Sequence, residues 1–181
     1  MPRLFVALRP PPEIRALLRA LMAEVPGARW QSDAQLHLTL RYIGDVDASV
    51  ADRIAAALAG IRAAPLALRF AGVGTFDRHG RVHTLWAGVA PQDAVAGLQE
   101  SVDRALTDIL PPPDQRPFVP HITLARRALG AGDAAAVTAW QQRHADLNTP
   151  QFIVSSLSLY NSVAGEVGST YQELAAWRLQ L

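Results

Sequence analysis

The sequence predicts an α+β fold with two pseudo-symmetric lobes. Each lobe is expected to be a mainly antiparallel sheet with helices on its outer face, and the two lie around a central groove. Three observations predict it. Strand-like and helix-like stretches alternate along the 181 residues. The order strand, helix, strand, helix, strand is spelled twice. The same short word, His-x-Thr-Leu, falls at a matched place in each copy, at His37–Leu40 and at His121–Leu124.

The elements follow in order. RLFVAL (3–8) reads as a strand. Residues 11–25 read as a helix, with prolines at the start and Ile14, Leu17, Leu18, Leu21 and Met22 on one face. LHLTLRYIG (36–44) is a strand ended by Gly44, and residues 47–61 are a helix with Asp47 or Ser49 as cap. Residues 66–76 are a strand, followed by the loop DRHGR at 77–81. The second copy has a strand at 82–89, a helix at 93–110, a proline-rich connection at 111–120 and the strand HITLAR at 121–126. A helix at 133–145, a strand at 151–162 and a closing strand at 171–179 complete it. Phe5 precedes His37 by 32 residues and Trp86 precedes His121 by 35, so the two copies keep nearly one spacing. Neither half would bury much core alone, so residues 1–181 are expected to form a single two-lobed domain with its lobe boundary near 77–81.

Composition narrows the function. Half of the residues are hydrophobic and 18% are charged, an ordinary globular mixture. The net charge of +1 supplies no strong field toward duplex nucleic acid or an anionic membrane. All 17 basic residues are arginines, which reads as codon bias more than design. Without cysteine there are no disulfides and no thiol nucleophiles. The opening MPRLFVALRPPPE does not read as a signal peptide, and no apolar run is long enough to span a bilayer. A cytoplasmic protein with no membrane partner is expected, and a monomer.

Residues two apart on a strand share a face. His37 and Thr39 therefore share one face of their strand, and Leu36, Leu38 and Leu40 the other. His121 and Thr123 stand likewise against Ile122 and Leu124. If the lobes bring these strands together, two imidazoles and two hydroxyls converge. That set suits in-line phosphoryl chemistry. A neutral imidazole takes a proton from the attacking oxygen, and a protonated one gives a proton to the leaving oxygen. The threonines would donate hydrogen bonds to the non-bridging oxygens. No metal or other cofactor is required. One such word alone would be an ordinary polar strand face; two at matched positions are not.

The pair of words, with the flanks RLFVALRPP, ARWQSDAQLHLTLRYIGDV, RPFVPHITLARR and LSLYNSVAGEVGSTYQELAAWRLQL, resembles the two-histidine phosphoesterase superfamily. More closely the chain looks like the RNA 2′,3′-cyclic phosphodiesterases, also called 2′–5′ RNA ligases. The resemblance implies His37 as proton donor and His121 as proton acceptor, with Thr39 and Thr123 beside them. It implies Arg126, next to Arg127, as the phosphate partner, and Phe5 as a surface on which a base could stack. The implied substrate is an RNA with a 2′,3′-cyclic phosphate end, tRNA fragments included. Two stretches depart from the family's pattern: DRHGRVH at 77–83, which puts the preferred substrate length in doubt, and NSVAGEVGSTY at 161–171. The alternatives are a phosphodiesterase for a small cyclic nucleotide or ADP-ribose cyclic phosphate, and a nucleotide-binding module without chemistry.

Other motifs carry less. His79 and His83 have only Asp77 near them as a further metal ligand. Asp45 and Asp47 read as turn and cap residues. AGVGTF lacks the third glycine of a dinucleotide fingerprint. The four tryptophans read as core or groove wall.

Overall fold

The structure, a computed structural model, describes residues 1–113, 115–126, 133–165 and 168–181. Eight strands and four helices follow one another: β1 (Arg3–Leu8), α1 (Pro12–Arg19), β2 (Leu38–Asp45), α2 (Ala48–Ala59), β3 (Leu66–Arg78), β4 (Arg81–Ala90), α3 (Gln92–Leu106), β5 (His121–Arg126), α4 (Ala134–Arg143), β6 (Phe152–Val154), β7 (Ser156–Gly165) and β8 (Gly168–Arg178). They build two four-stranded sheets, in the orders β2-β1-β7-β8 and β5-β4-β3-β6. Neighbouring strands in both are antiparallel. The expected α+β fold with two sheet lobes is thus observed.

The expected lobe boundary near 77–81 is corrected. Those residues form the tight turn of the β3–β4 hairpin, inside one sheet, with His79 and Gly80 at φ of 52° and 72°. The chain changes sheets elsewhere, between α2 and β3 and again at Ser155. The expected strand 151–162 is therefore two strands: β6 pairs with β3 and β7 pairs with β1. Each half sends its last strand to the other half's sheet. Hydrophobic alternation identifies a strand but does not name its partner, which is why the pattern alone misplaces the boundary.

α1 is shorter than its apolar periodicity suggests and stops at Arg19. The Leu21 carbonyl, which a longer helix would use internally, accepts instead from the Trp140 indole N–H at 2.7 Å, and Glu24 takes a φ of 69°. Asp47 stands at the cap position of α2 but makes no side-chain capping bond.

One apolar cluster runs through both sheets. Leu4, Val6 and Leu8 of β1, with Leu36, Leu38 and Leu40, enter it from the first sheet, while Leu85, Ala87, Val89, Ile122 and Leu124 enter from the second. α2 adds Ile54 and Leu58, and α3 adds Val95, Leu98, Val102 and Leu106. The alternate residues of β1 and β2 face away from this core, toward the groove. Among the described residues no helix is long and apolar enough to cross a membrane.

Candidate active site

Each His-x-Thr strand is the edge of its sheet, β2 in one and β5 in the other, and the two edges are in contact. The core pattern decides which way they face. With Leu36, Leu38 and Leu40 at most 3% exposed and Ile122 and Leu124 at 0%, the imidazoles and hydroxyls must point the other way.

The two histidines are held alike. His37 Nδ1 lies 2.7 Å from the Gln35 carbonyl, and His121 Nδ1 lies 2.7 Å from the Val119 carbonyl. A carbonyl can only accept, so each Nδ1 carries its hydrogen and donates. The neutral form of each ring therefore leaves Nε2 as a free acceptor. The protonated form turns Nε2 into a donor. The turn that presents the Gln35 carbonyl is itself braced. The Gln35 side chain accepts from the Ser32 N–H at 2.9 Å and donates to the Ser169 carbonyl on β8 at 2.8 Å.

Aromatic rings bed both imidazoles. Phe5 lies 4.8 Å from His37 and Tyr171 meets its edge at 4.9 Å. Phe76 meets the edge of His121 at 4.8 Å, with Trp86 at 5.9 Å. Burial pushes the His37 pKa down from 6.5 to about 4; the Gln35 carbonyl opposes this, and the charges of Arg126, His121 and Arg9 add to it. His121 is lowered too, first by burial and then by Arg126, against the Val119 carbonyl. Both rings thus feel the same arginine, and His37 feels His121: the two share one electrostatic site.

Thr39 and Arg126 line one cavity with His37, of about 280 Å³. Arg126 ends β5, and its N–H donates to the Arg29 carbonyl at 3.1 Å. Its guanidinium has no ion pair among the described residues. Its sequence neighbour Arg127 lies outside them. Thr123 sits half-buried on β5, opposite Trp86. Phe5, expected as a stacking surface, is only 3% exposed and stacks on Tyr160 at 5.2 Å. It is the floor beneath His37 rather than an open platform. A second hollow of about 210 Å³ on the same imidazole is walled by Arg9, Tyr160, Tyr171 and Glu173, and the Tyr160 hydroxyl donates to Glu173 at 3.1 Å.

Another hollow, of about 380 Å³, lies away from this site at the β3–β4 hairpin, among Arg78, His79, Arg81 and His83. Among the described residues no three histidine or acidic side chains gather as a metal site. Sequence reasoning missed Gln35, Arg29, Tyr160 and Tyr171. The tyrosines come from β7 and β8, more than a hundred residues after His37, and nothing in local pattern links them to it.

The model of the 2′-5′ RNA ligase superfamily matches residues 10–166, which include both His-x-Thr words. An RNA 2′,3′-cyclic phosphodiesterase of Aeropyrum pernix is 33% identical over 78% of this chain and 81% of its own length. One of Thermus thermophilus is 34% identical over 69% of this chain and 68% of its own length. Among solved structures, a Thermus thermophilus protein superposes with a TM-score of 0.81 at 26% identity, covering 98% of both chains. The structure of Escherichia coli LigT complexed with 3′-AMP superposes with a TM-score of 0.78 at 26% identity, covering 99% of both.

Proposed function

This chain belongs to the 2′-5′ RNA ligase superfamily, and we propose that it opens the 2′,3′-cyclic phosphate at an RNA end by two-histidine acid–base catalysis, without a metal ion. Water attacks phosphorus. His121 Nε2 accepts its proton, and His37 Nε2 delivers a proton to the 3′ oxygen as the P–O3′ bond breaks. The product keeps a 2′-phosphate. With an RNA 5′-hydroxyl in place of water, the same step joins RNA through a 2′–5′ bond: His121 takes the hydroxyl proton and His37 protonates the departing 3′ oxygen. Thr39 and Thr123 donate to the non-bridging oxygens, and Arg126 balances their charge.

One observation supports this reading above the rest. Both imidazoles have Nδ1 tied to the carbonyl two residues upstream, which leaves two Nε2 atoms for proton transfer. A binding module would gain nothing from fixing both tautomers. In the free protein both rings are neutral at pH 7, so one must gain a proton before it can act as the acid. The anionic phosphate supplies the charge that favours this, since an opposite charge raises an imidazole's pKa.

The test is a short RNA ending in a 2′,3′-cyclic phosphate, incubated with purified protein and a strong chelator, with the product resolved as 2′- or 3′-phosphate. Full turnover to the 2′-phosphate is expected. Activity lost in chelator and restored by a divalent ion overturns the metal-free mechanism. A 3′-phosphate product overturns the choice of leaving oxygen.

A further inference from the structure

We propose that Tyr42 and Arg29 form a second nucleotide subsite, which holds the nucleotide 5′ of the reacting one; this rests on the phosphodiesterase reading above. The cavity that contains His37, Thr39 and Arg126 is lined by Arg29 and Tyr42 as well. Tyr42 is 61% exposed, the one aromatic ring among the exposed large apolar side chains of the described residues.

A single exposed tyrosine needs no explanation by itself. Its direction does. Thr39 and Tyr42 are three apart, and on a regular strand they would face opposite sides. A bulge in β2 changes this: Ala7 pairs with Thr39, Val6 with Arg41 and Phe5 with Tyr42, so Leu40 is the extra residue. Phe5 and Ala7 form the small cluster on the groove side of β1, so their partners Thr39 and Tyr42 both face the groove. The same bulge turns Arg41 to the core side, where it binds Asp103 at 3.2 Å and the Pro111 carbonyl at 2.8 Å. Bulges commonly re-aim a side chain beside a site. Here the ring is brought onto the wall that holds the phosphate-binding hydroxyl.

Charge points the same way. Arg29 has no ion pair among the described residues, and its carbonyl accepts the N–H of Arg126, which also has none. Both arginines line the one cavity, so it offers two cations to an anionic ligand, and two anions would engage both. A 2′,3′-cyclic phosphate supplies one, for Arg126. The phosphodiester on its 5′ side supplies the next, for Arg29. Arg3, locked to Asp45 by bonds of 3.2 and 3.1 Å, lines the same cavity and gives the preceding base a second flat wall beside Tyr42. Stacking on an aromatic ring with a cation at the backbone is how single-stranded RNA is commonly held.

The test compares a nucleoside 2′,3′-cyclic phosphate with a dinucleotide that ends in the same cyclic nucleotide. The wild-type protein should favour the dinucleotide in kcat/KM. Tyr42→Ala should lower kcat/KM on the dinucleotide roughly five- to hundredfold, the range base–aromatic stacking gives, and leave the mononucleotide unchanged. Tyr42→Phe should restore the dinucleotide rate, and Arg29→Gln should flatten the salt dependence of its KM. Equal effects of Tyr42→Ala on both substrates, or no effect on either, overturn the subsite. So does a wild-type protein without preference for the dinucleotide. Inactivity on both substrates overturns the phosphodiesterase reading itself.

Discussion

Lowering the pH should weaken the fold, and His37 should account for a defined share of the loss. Burial holds its folded-state pKa at about 4, against an ordinary 6.5 in the unfolded chain. The folded value is the lower one, so between pH 6.5 and 4 the unfolded chain binds more protons. Stability from this group is complete above the unfolded value and falls as the pH drops toward the folded one. A pKa displaced from 6.5 to about 4 corresponds to about 3 kcal/mol at pH 4, an upper figure because part of the ring faces the groove. Asparagine in place of His37 keeps an N–H for the Gln35 carbonyl and does not titrate. Urea unfolding of the wild type and His37→Asn, each at pH 7 and pH 4, isolates the effect, since carboxylates titrate in both proteins and cancel. On acidification the wild type should lose about 3 kcal/mol more than the variant. An excess loss below about 1 kcal/mol would refute the reasoning, because it would mean that the imidazole stays hydrated.

Three further outcomes are expected. Alanine at His37 or His121 should cut turnover by roughly 10²–10⁴ with the circular dichroism spectrum kept, while alanine at Thr39 or Thr123 should cost about 1–3 kcal/mol in kcat/KM; wild-type turnover in His37→Ala would remove its donor role. The pH profile of kcat/KM should be a bell on the acid side of 6.5, since both free-protein pKa values are lowered, and that of kcat should lie higher because bound substrate is anionic; coincident profiles would contradict this. A Cβ at Gly74 would run into the ring of Trp86, which lies 5.9 Å from His121, so Gly74→Ala should destabilise by about 1–3 kcal/mol and reduce turnover; a thermal melt and a rate assay that both match wild type would mean that the ring yields freely.

Much of the site was legible because strands alternate. Leu36–Leu40 and His121–Leu124 each state which residues are buried and which face out, and the repeated word says that the two strands do one job. The sheet partners were not legible. β3 and β6 have the same apolar alternation as strands of either lobe; the hairpin with β4 puts β3 in the second sheet, and long-range pairing with β3 puts β6 there. α1 ends early for a tertiary reason, the Trp140 indole on the Leu21 carbonyl. The carbonyls that fix the imidazoles belong to Gln35 and Val119, unlike side chains at a common offset, so identity gives no hint of the shared role. Nor does a motif report burial: the ordinary pKa of 6.5 that the word His suggests is not the one the aromatic bed leaves to His37.

That lowering bears on which histidine is the acid. The two half-sites are built alike, so their backbone hydrogen bonds cannot tell donor from acceptor. The surroundings differ. His37 feels His121, Arg9 and Arg126 as well as burial, while among charged neighbours His121 is lowered by Arg126. In the free protein His37 is therefore hard to protonate, although resemblance to the family makes it the proton donor. The two statements agree only if the substrate changes the balance. A phosphate between the rings screens Arg126, places negative charge near Nε2 of His37, and raises that pKa when a proton is needed. In the reverse reaction, where the 3′-hydroxyl attacks phosphorus to re-form the cyclic phosphate, His37 would begin neutral, as the free protein leaves it, and act as the base. Microscopic reversibility thus asks of each imidazole both roles, and two tautomers fixed alike are what allow either ring to play them.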